Sequence, residues 1–173
     1  MTVRRWFYAL VASQALFLLG WAGWLEAELR RSPTVLLETR PVDPSEILRG
    51  DYITLNYTIG TVPISAFTAP PETDQYGEKV CVELAPAGEF WQVATASPGG
   101  CAGGEPPGED RLRLEGRITS VGADSVALDY GIGRYYVPEG MGTPQGRLTA
   151  RVAITSWSRA LIKEVYLDGR PYP

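Results

Sequence analysis

Residues 6–25 read WFYALVASQALFLLGWAGWL, a stretch of about 20 residues without a charged side chain. A helix rising about 1.5 Å per residue covers the roughly 30 Å hydrocarbon layer of a bilayer with that length. No polar face interrupts the apolarity, so the segment is a poor match to a helix lying on a protein core with one side in water. Trp6 and Tyr8 stand at one end and Trp21 and Trp24 at the other, the places aromatic rings favour at the two membrane interfaces. Arg4 and Arg5 precede the stretch, while Glu26, Glu28, Arg30 and Arg31 follow it and cancel, so basic flanks alone do not set an orientation. The short N-terminal stub favours a cytoplasmic start. The expected organisation is a cytoplasmic stub at 1–5, a transmembrane signal anchor at 6–25, a linker at 26–33 and an exported domain at 34–173. A cleaved signal peptide is the competing reading. It calls for an apolar region of about 7–15 residues and a small-x-small cleavage site. Here the apolar region is longer, and Ala22-Gly23-Trp24 and Glu26-Ala27-Glu28 are poor sites.

The remainder reads as β-structure. The 19 Gly and 14 Pro of the whole chain suit short strands joined by turns better than helices. Residues 34–40 (TVLLETR) form an apolar, β-branched run and a first strand. Asp43 to Gly50 then carries the signals of one short helix: Asp43 as N-cap, Pro44 at the first position, Glu46 three after the cap, Gly50 to end it. Residues 52–59 alternate, with Ile53, Leu55, Tyr57 and Ile59 on the core face and Tyr52, Thr54, Asn56 and Thr58 opposite. Further strands are expected at 79–84, 90–96, 112–119, 125–130, 134–137, 148–155 and 160–167, with loops at 97–110 and 138–146. About eight or nine short strands at this spacing argue an all-β domain, a small barrel or sandwich with one short helical turn, behind the N-terminal helix.

Composition removes several functions. There is no histidine, which excludes imidazole metal sites, histidine general bases and the Ser-His-Asp triad. The formal net charge of −4 gives nucleic acid no electrostatic footprint to bind. Cys81 and Cys101 are the only cysteines; in an exported domain the pair is a disulfide candidate, and two unpaired thiols are the alternative. Their spacing fits no zinc pattern, so no metal and no cofactor is expected.

The segment RPVDPSEILRGDYITLNY, residues 40–57, resembles the signature of the GDYXXLXY family of bacterial membrane-anchored proteins. Gly50, Asp51, Tyr52, Leu55 and Tyr57 match the motif position by position. LDYGIGRYYVPEGMG, residues 128–142, resembles a second block of that family, and AITSWSRALIKEVYLDGRPY its C-terminal hairpin. The resemblance implies a single-span protein of the bacterial cytoplasmic membrane with an exported C-terminal domain, paired with a multi-spanning membrane protein. It implies no particular reaction.

Read from physics, Gly50 permits a tight helix-to-strand turn and Asp51 fixes that turn through backbone N–H groups. Leu55 and Tyr57 point to the core. Tyr52 faces the other way and is free to cover a rim or meet a partner. The motif is therefore a folding staple, a partner surface or, less readily, a catalytic site. Asp43, Glu46 and Asp51 form a small acidic group, but each has a structural job in the expected turn. Lys79 and Lys163 follow no serine in the manner of a Ser-Lys dyad. Tyr130, Tyr135 and Tyr136 beside Arg134 form an aromatic group able to stack a ligand, or a half-buried strand pattern. No catalytic residue emerges. Tyr52, Arg134, Tyr135 and Tyr136 are the candidate binding residues. The expected function is a non-enzymatic accessory protein at the outer face of the membrane, held by its helix and by an integral membrane partner. The alternative is a cell-envelope ligand-binding or hydrolytic domain using the region around Asp51 and Arg134.

Overall fold

The computed structural model describes residues 2–40, 52–72, 75–102, 108, 110–138, 144 and 146–172. The chain divides into two compact units, Met1–Ser32 and Pro33–Pro173. The expected short helix at 43–50 and the motif residues Gly50 and Asp51 lie outside the described residues.

The first unit is one helix, α1 (Thr2–Arg31). Residues 4–31 are long and apolar enough to cross a membrane, and none of the apolar window is buried. The helix continues through residues 26–31, which the sequence suggests as linker. Two local features carry it on. Glu26 pairs with Arg30 one turn later at 2.8 Å, and Arg30 and Arg31 in the last turn complement the helix dipole. Ser32 then caps the end, its N–H and hydroxyl both donating to the Glu28 carbonyl at 2.9 and 2.8 Å.

The second unit is mostly β. Among the described residues it has β1 (Thr34–Arg40), β2 (Tyr52–Thr54), β3 (Asn56–Tyr57), β4 (Thr61–Pro63), β5 (Lys79–Ala87), β6 (Phe90–Pro98), β7 (Leu112–Val121), β8 (Ser125–Asp129), β9 (Arg134–Tyr136), β10 (Leu148–Ile154), β11 (Ala160–Leu167) and β12 (Arg170–Tyr172). One sheet has the order β12-β11-β10-β1-β3, a second β4-β8-β7-β5-β6, and β2 and β9 make a separate ribbon. β6 lies against β1, so the sheets close into a nearly complete barrel-like wall. The interior is filled by Leu37, Ile53, Leu84, Leu114, Ile118 and the valines of β1, β5, β8 and β10.

The expected strand at 52–59 is divided, because the chain changes partner along it. β2 pairs with β9, Leu55 N–H donates to the Gly133 carbonyl at 2.9 Å, and β3 pairs with β1. The side-chain alternation survives the change: Ile53, Leu55, Tyr57 and Ile59 are all buried. A single 3-10 turn (Thr58–Gly60) then carries the chain into β4, a strand the sequence hides because Pro63 stands at its end. The β5–β6 connection is also tighter than the expected five residues. It is a two-residue turn, Gly88-Glu89, with Gly88 at φ +70°. β12 is not among the expected strands although its signal is present: Asp168-Gly169 takes positive φ at both positions, as a tight hairpin requires.

Candidate functional site

The motif strand and β9 build one surface together. In the antiparallel ribbon Tyr52 lies opposite Tyr136, Ile53 opposite Tyr135 and Thr54 opposite Arg134. The two-residue period then sorts the side chains. Ile53 and Tyr135 turn inward, Ile53 fully buried and Tyr135 packed against the core. Tyr52, Arg134 and Tyr136 turn outward. The Tyr52 and Tyr136 rings meet edge-on at 6.0 Å, and the Arg134 guanidinium stands 5.5 Å from the Tyr52 ring centre. Three of the four candidate binding residues thus form one exposed cation–aromatic cluster, and Tyr135 is on the other side of the strand. Tyr136 is 72% exposed.

Tyr130, which the sequence groups with these tyrosines, belongs to the interior. Its hydroxyl donates to the Ile59 carbonyl at 2.8 Å, tying the end of β8 to the turn after the motif strand. Its ring covers Gly116 of β7, where a Cβ would meet it at 2.8 Å. Burial raises its pKa far above the usual phenol range. Tyr57 is buried as well, with its pKa raised by the same cause, and its hydroxyl has no hydrogen-bond partner among the described residues.

Beside Asn56 of the motif strand lies a cleft of about 440 Å³ whose lining includes Arg40, Thr61, Thr119 and Asp129. Only the sheet topology brings these positions together, so no spacing in the sequence announces them. Their polar groups are partly engaged with each other and with the backbone. Arg40 donates to Thr61 at 3.4 Å, and the Asp129 carboxylate accepts the Gly131 N–H at 2.8 Å.

A second polar group lies on the outer face of β5–β7. Cys81 and Cys101 form a disulfide that ties the chain after β6 to β5. One register step away, Glu83 accepts two hydrogen bonds from Arg113 at 3.1 Å and one from Arg111 at 3.3 Å. Partial burial would raise the Glu83 carboxyl, but the two guanidinium groups outweigh it and hold its pKa below the usual value. Glu115 is lowered too, chiefly by its hydrogen bond from Lys79. A depressed carboxylate adds stability above its unfolded pKa and loses it as the pH falls through the folded one. The stability difference between wild type and Glu83→Gln is therefore expected to be full at pH 6 and to shrink below about pH 4. Urea midpoints across that range test this, and a difference independent of pH would refute it. Among the described residues no group of three metal-ligating side chains occurs.

Of the sequence candidates, Leu55 and Tyr57 are core residues, Tyr52 is at the surface, and Gly50 and Asp51 fall outside the described residues. Compared with known proteins, the chain matches the family model described as GDYXXLXY protein over residues 14–165, most of its length. No curated protein and no solved structure matches it.

Proposed function

Because the chain belongs to the GDYXXLXY family, we propose that it is a non-enzymatic, single-pass accessory protein of the bacterial cytoplasmic membrane, its β-unit exported and its helix packed on an integral membrane protein. The observation that carries this reading is α1, an apolar helix with nothing buried in its apolar window, joined directly to a folded β-unit. An unbroken apolar surface of that length finds its match in lipid and in other membrane helices. Gly20 and Gly23, with Ala22 between them, have open space around them and allow close approach of another helix backbone. The Tyr52–Arg134–Tyr136 cluster supplies an exposed patch of the residue types that favour protein contacts.

The test has two arms. A phosphatase reporter fused after residue 173 reads export, and the mass of the mature chain reads whether the helix is retained. Replacing residues 6–25 by an unrelated transmembrane sequence is then expected to keep the protein in the membrane but reduce co-purification with its multi-spanning partner at least about tenfold in mild detergent. A chain that is a solitary monomer at native expression levels would sink the proposal. A ligand-binding domain is the second reading, favoured by the 440 Å³ cleft, which has the size of a small-molecule site. Its polar groups are turned toward neighbours rather than toward a common point, which weighs for the first reading.

A further inference from the structure

The β10–β11 hairpin ends in Thr155-Ser156-Trp157-Ser158-Arg159, and the sheet register places that turn beyond the start of β1. β10 runs antiparallel to β1, with Thr34 opposite Ala153, and Ile154 N–H donates to the Pro33 carbonyl at 3.0 Å. The chain therefore comes back to Pro33, the first residue of the β-unit, and passes it. Three further residues in extended spacing reach up to about 10 Å beyond the start of β1. Pro33 is in turn tethered to the apolar helix. From Leu25 the chain is helical through Arg31, about 9 Å at about 1.5 Å per residue, and two further residues reach Pro33, so the span is no more than about 16 Å. Chain length alone keeps the Pro33 end of the β-unit close to whatever surface the apolar segment ends at.

That turn carries the side chains an interface selects. Trp157 is 50% exposed and Leu161, level with Thr34 across β10, is 46% exposed. Residues 151–163, RVAITSWSRALIK, hold Arg151, Arg159 and Lys163 and no acid, in a chain with 20 acidic and 16 basic residues. Arg151 is paired with Glu164, which leaves Arg159 and Lys163 as the exposed cations of the hairpin end. Among the described residues, Glu115 lies within electrostatic reach of Arg159, and its carboxylate is already held by Lys79 at 2.9 Å. The turn is also tied by backbone hydrogen bonds. Thr155 N–H donates to the Arg159 carbonyl, Ser158 N–H to the Thr155 carbonyl, and Ser158 O in turn accepts Glu115 N–H at 2.8 Å. Presenting Trp157 thus needs no ordering of a loose loop.

We propose that this hairpin tip is a lipid contact: Trp157 and Leu161 seat in the headgroup region of the bilayer that holds α1, and Arg159 and Lys163 face anionic headgroups. The inference rests on the reading of α1 as a membrane anchor. An indole at that depth has its ring in the interface and its N–H in the wet layer, and nearby cations add attraction to anionic lipid.

The full chain reconstituted in vesicles of phosphatidylcholine and phosphatidylglycerol, about seven to three, tests it. One variant carries Trp6→Phe, Trp21→Phe, Trp24→Phe and Trp91→Phe, leaving Trp157 as sole emitter. A second carries Trp6→Phe, Trp91→Phe and Trp157→Phe, leaving Trp21 and Trp24 as reporters of the anchor. Lipid brominated in its acyl chains is expected to quench Trp157 about twofold, and its emission to lie on the order of 10 nm to the blue of an aqueous indole. The wild-type minus Trp157→Phe difference signal gives the same reading should the quadruple variant fold poorly. Quenching of Trp21 and Trp24 with none of Trp157 overturns the hairpin contact while leaving the anchor intact. No quenching of either set overturns the anchor, and the hairpin contact with it. A Trp157 shielded from both brominated lipid and aqueous iodide is covered by protein, which also overturns the lipid contact.

Discussion

Replacing Leu37 with alanine is expected to lower the stability of the β-unit by about 3 kcal/mol, and its melting midpoint by roughly 10 °C. Leu37 is fully buried in β1, the strand that hydrogen-bonds to β10 on one side and β3 on the other and lies against β6. Its neighbours are therefore fixed on several sides by strand pairing, and the wall cannot collapse into the space the leucine leaves. The cavity term then adds to the lost transfer free energy. Leu161→Ala removes the same atoms from a side chain 46% exposed and is expected to cost under about 0.5 kcal/mol. Thermal melts of the full chain in one detergent compare the two directly. Equal effects would mean that β1 is not at the centre of the core.

The second large effect belongs to the disulfide. Cys81 sits in β5 and Cys101 follows β6, so the bond closes a loop of sequence separation 20 that contains the β5–β6 hairpin. Removing a cross-link of this length costs about 3 kcal/mol when the constraint acts on the unfolded chain. The double variant Cys81→Ser, Cys101→Ser is expected to show that loss in its urea midpoint and to be insensitive to dithiothreitol. The wild type is expected to fall to the same midpoint when reduced. A wild type that ignores the reductant would show that the bond contributes nothing measurable. A bond of this kind persists in oxidising compartments, which agrees with an exported β-unit.

Much of the fold is legible in the sequence because its signals are local. The uncharged run at 6–25 announces α1, and alternation at 52–59 picks out Ile53, Leu55, Tyr57 and Ile59, all four of them buried. What escaped depends on partners. Nothing in Tyr52 to Tyr57 tells the reader that β2 binds β9 while β3 binds β1, since the same alternation serves both. β4 escaped because Pro63 argues against a strand, yet it pairs with β8 alone and the lost N–H is tolerated there. The candidate surface was half legible. Tyr52 was singled out as the motif residue that leaves the core, but its meeting with Arg134 and Tyr136 depends on a cross-strand register that only the fold supplies. Tyr130 follows the strand-pattern alternative rather than the ligand-stacking one, and adjacency in sequence hides the fact that its hydroxyl reaches back 71 residues to Ile59.

The pairing of β1 with β10 also sets the order in which the protein acquires structure. β1 is the first strand of the β-unit, and its main ladder lies more than 100 residues later; even the Thr39 hydroxyl reaches the Leu148 carbonyl, 109 positions on. A chain made from its N-terminus has residues 34–40 waiting while β5 to β8 assemble from near neighbours. The loop entropy of joining the two ends is paid last. A nascent chain stopped before residue 148 therefore lacks the ladder partner of residues 34–38, and β1 keeps only its short pairing with β3. Completion of the fold waits for β10, so a truncation that removes β10 strikes the first strand hardest.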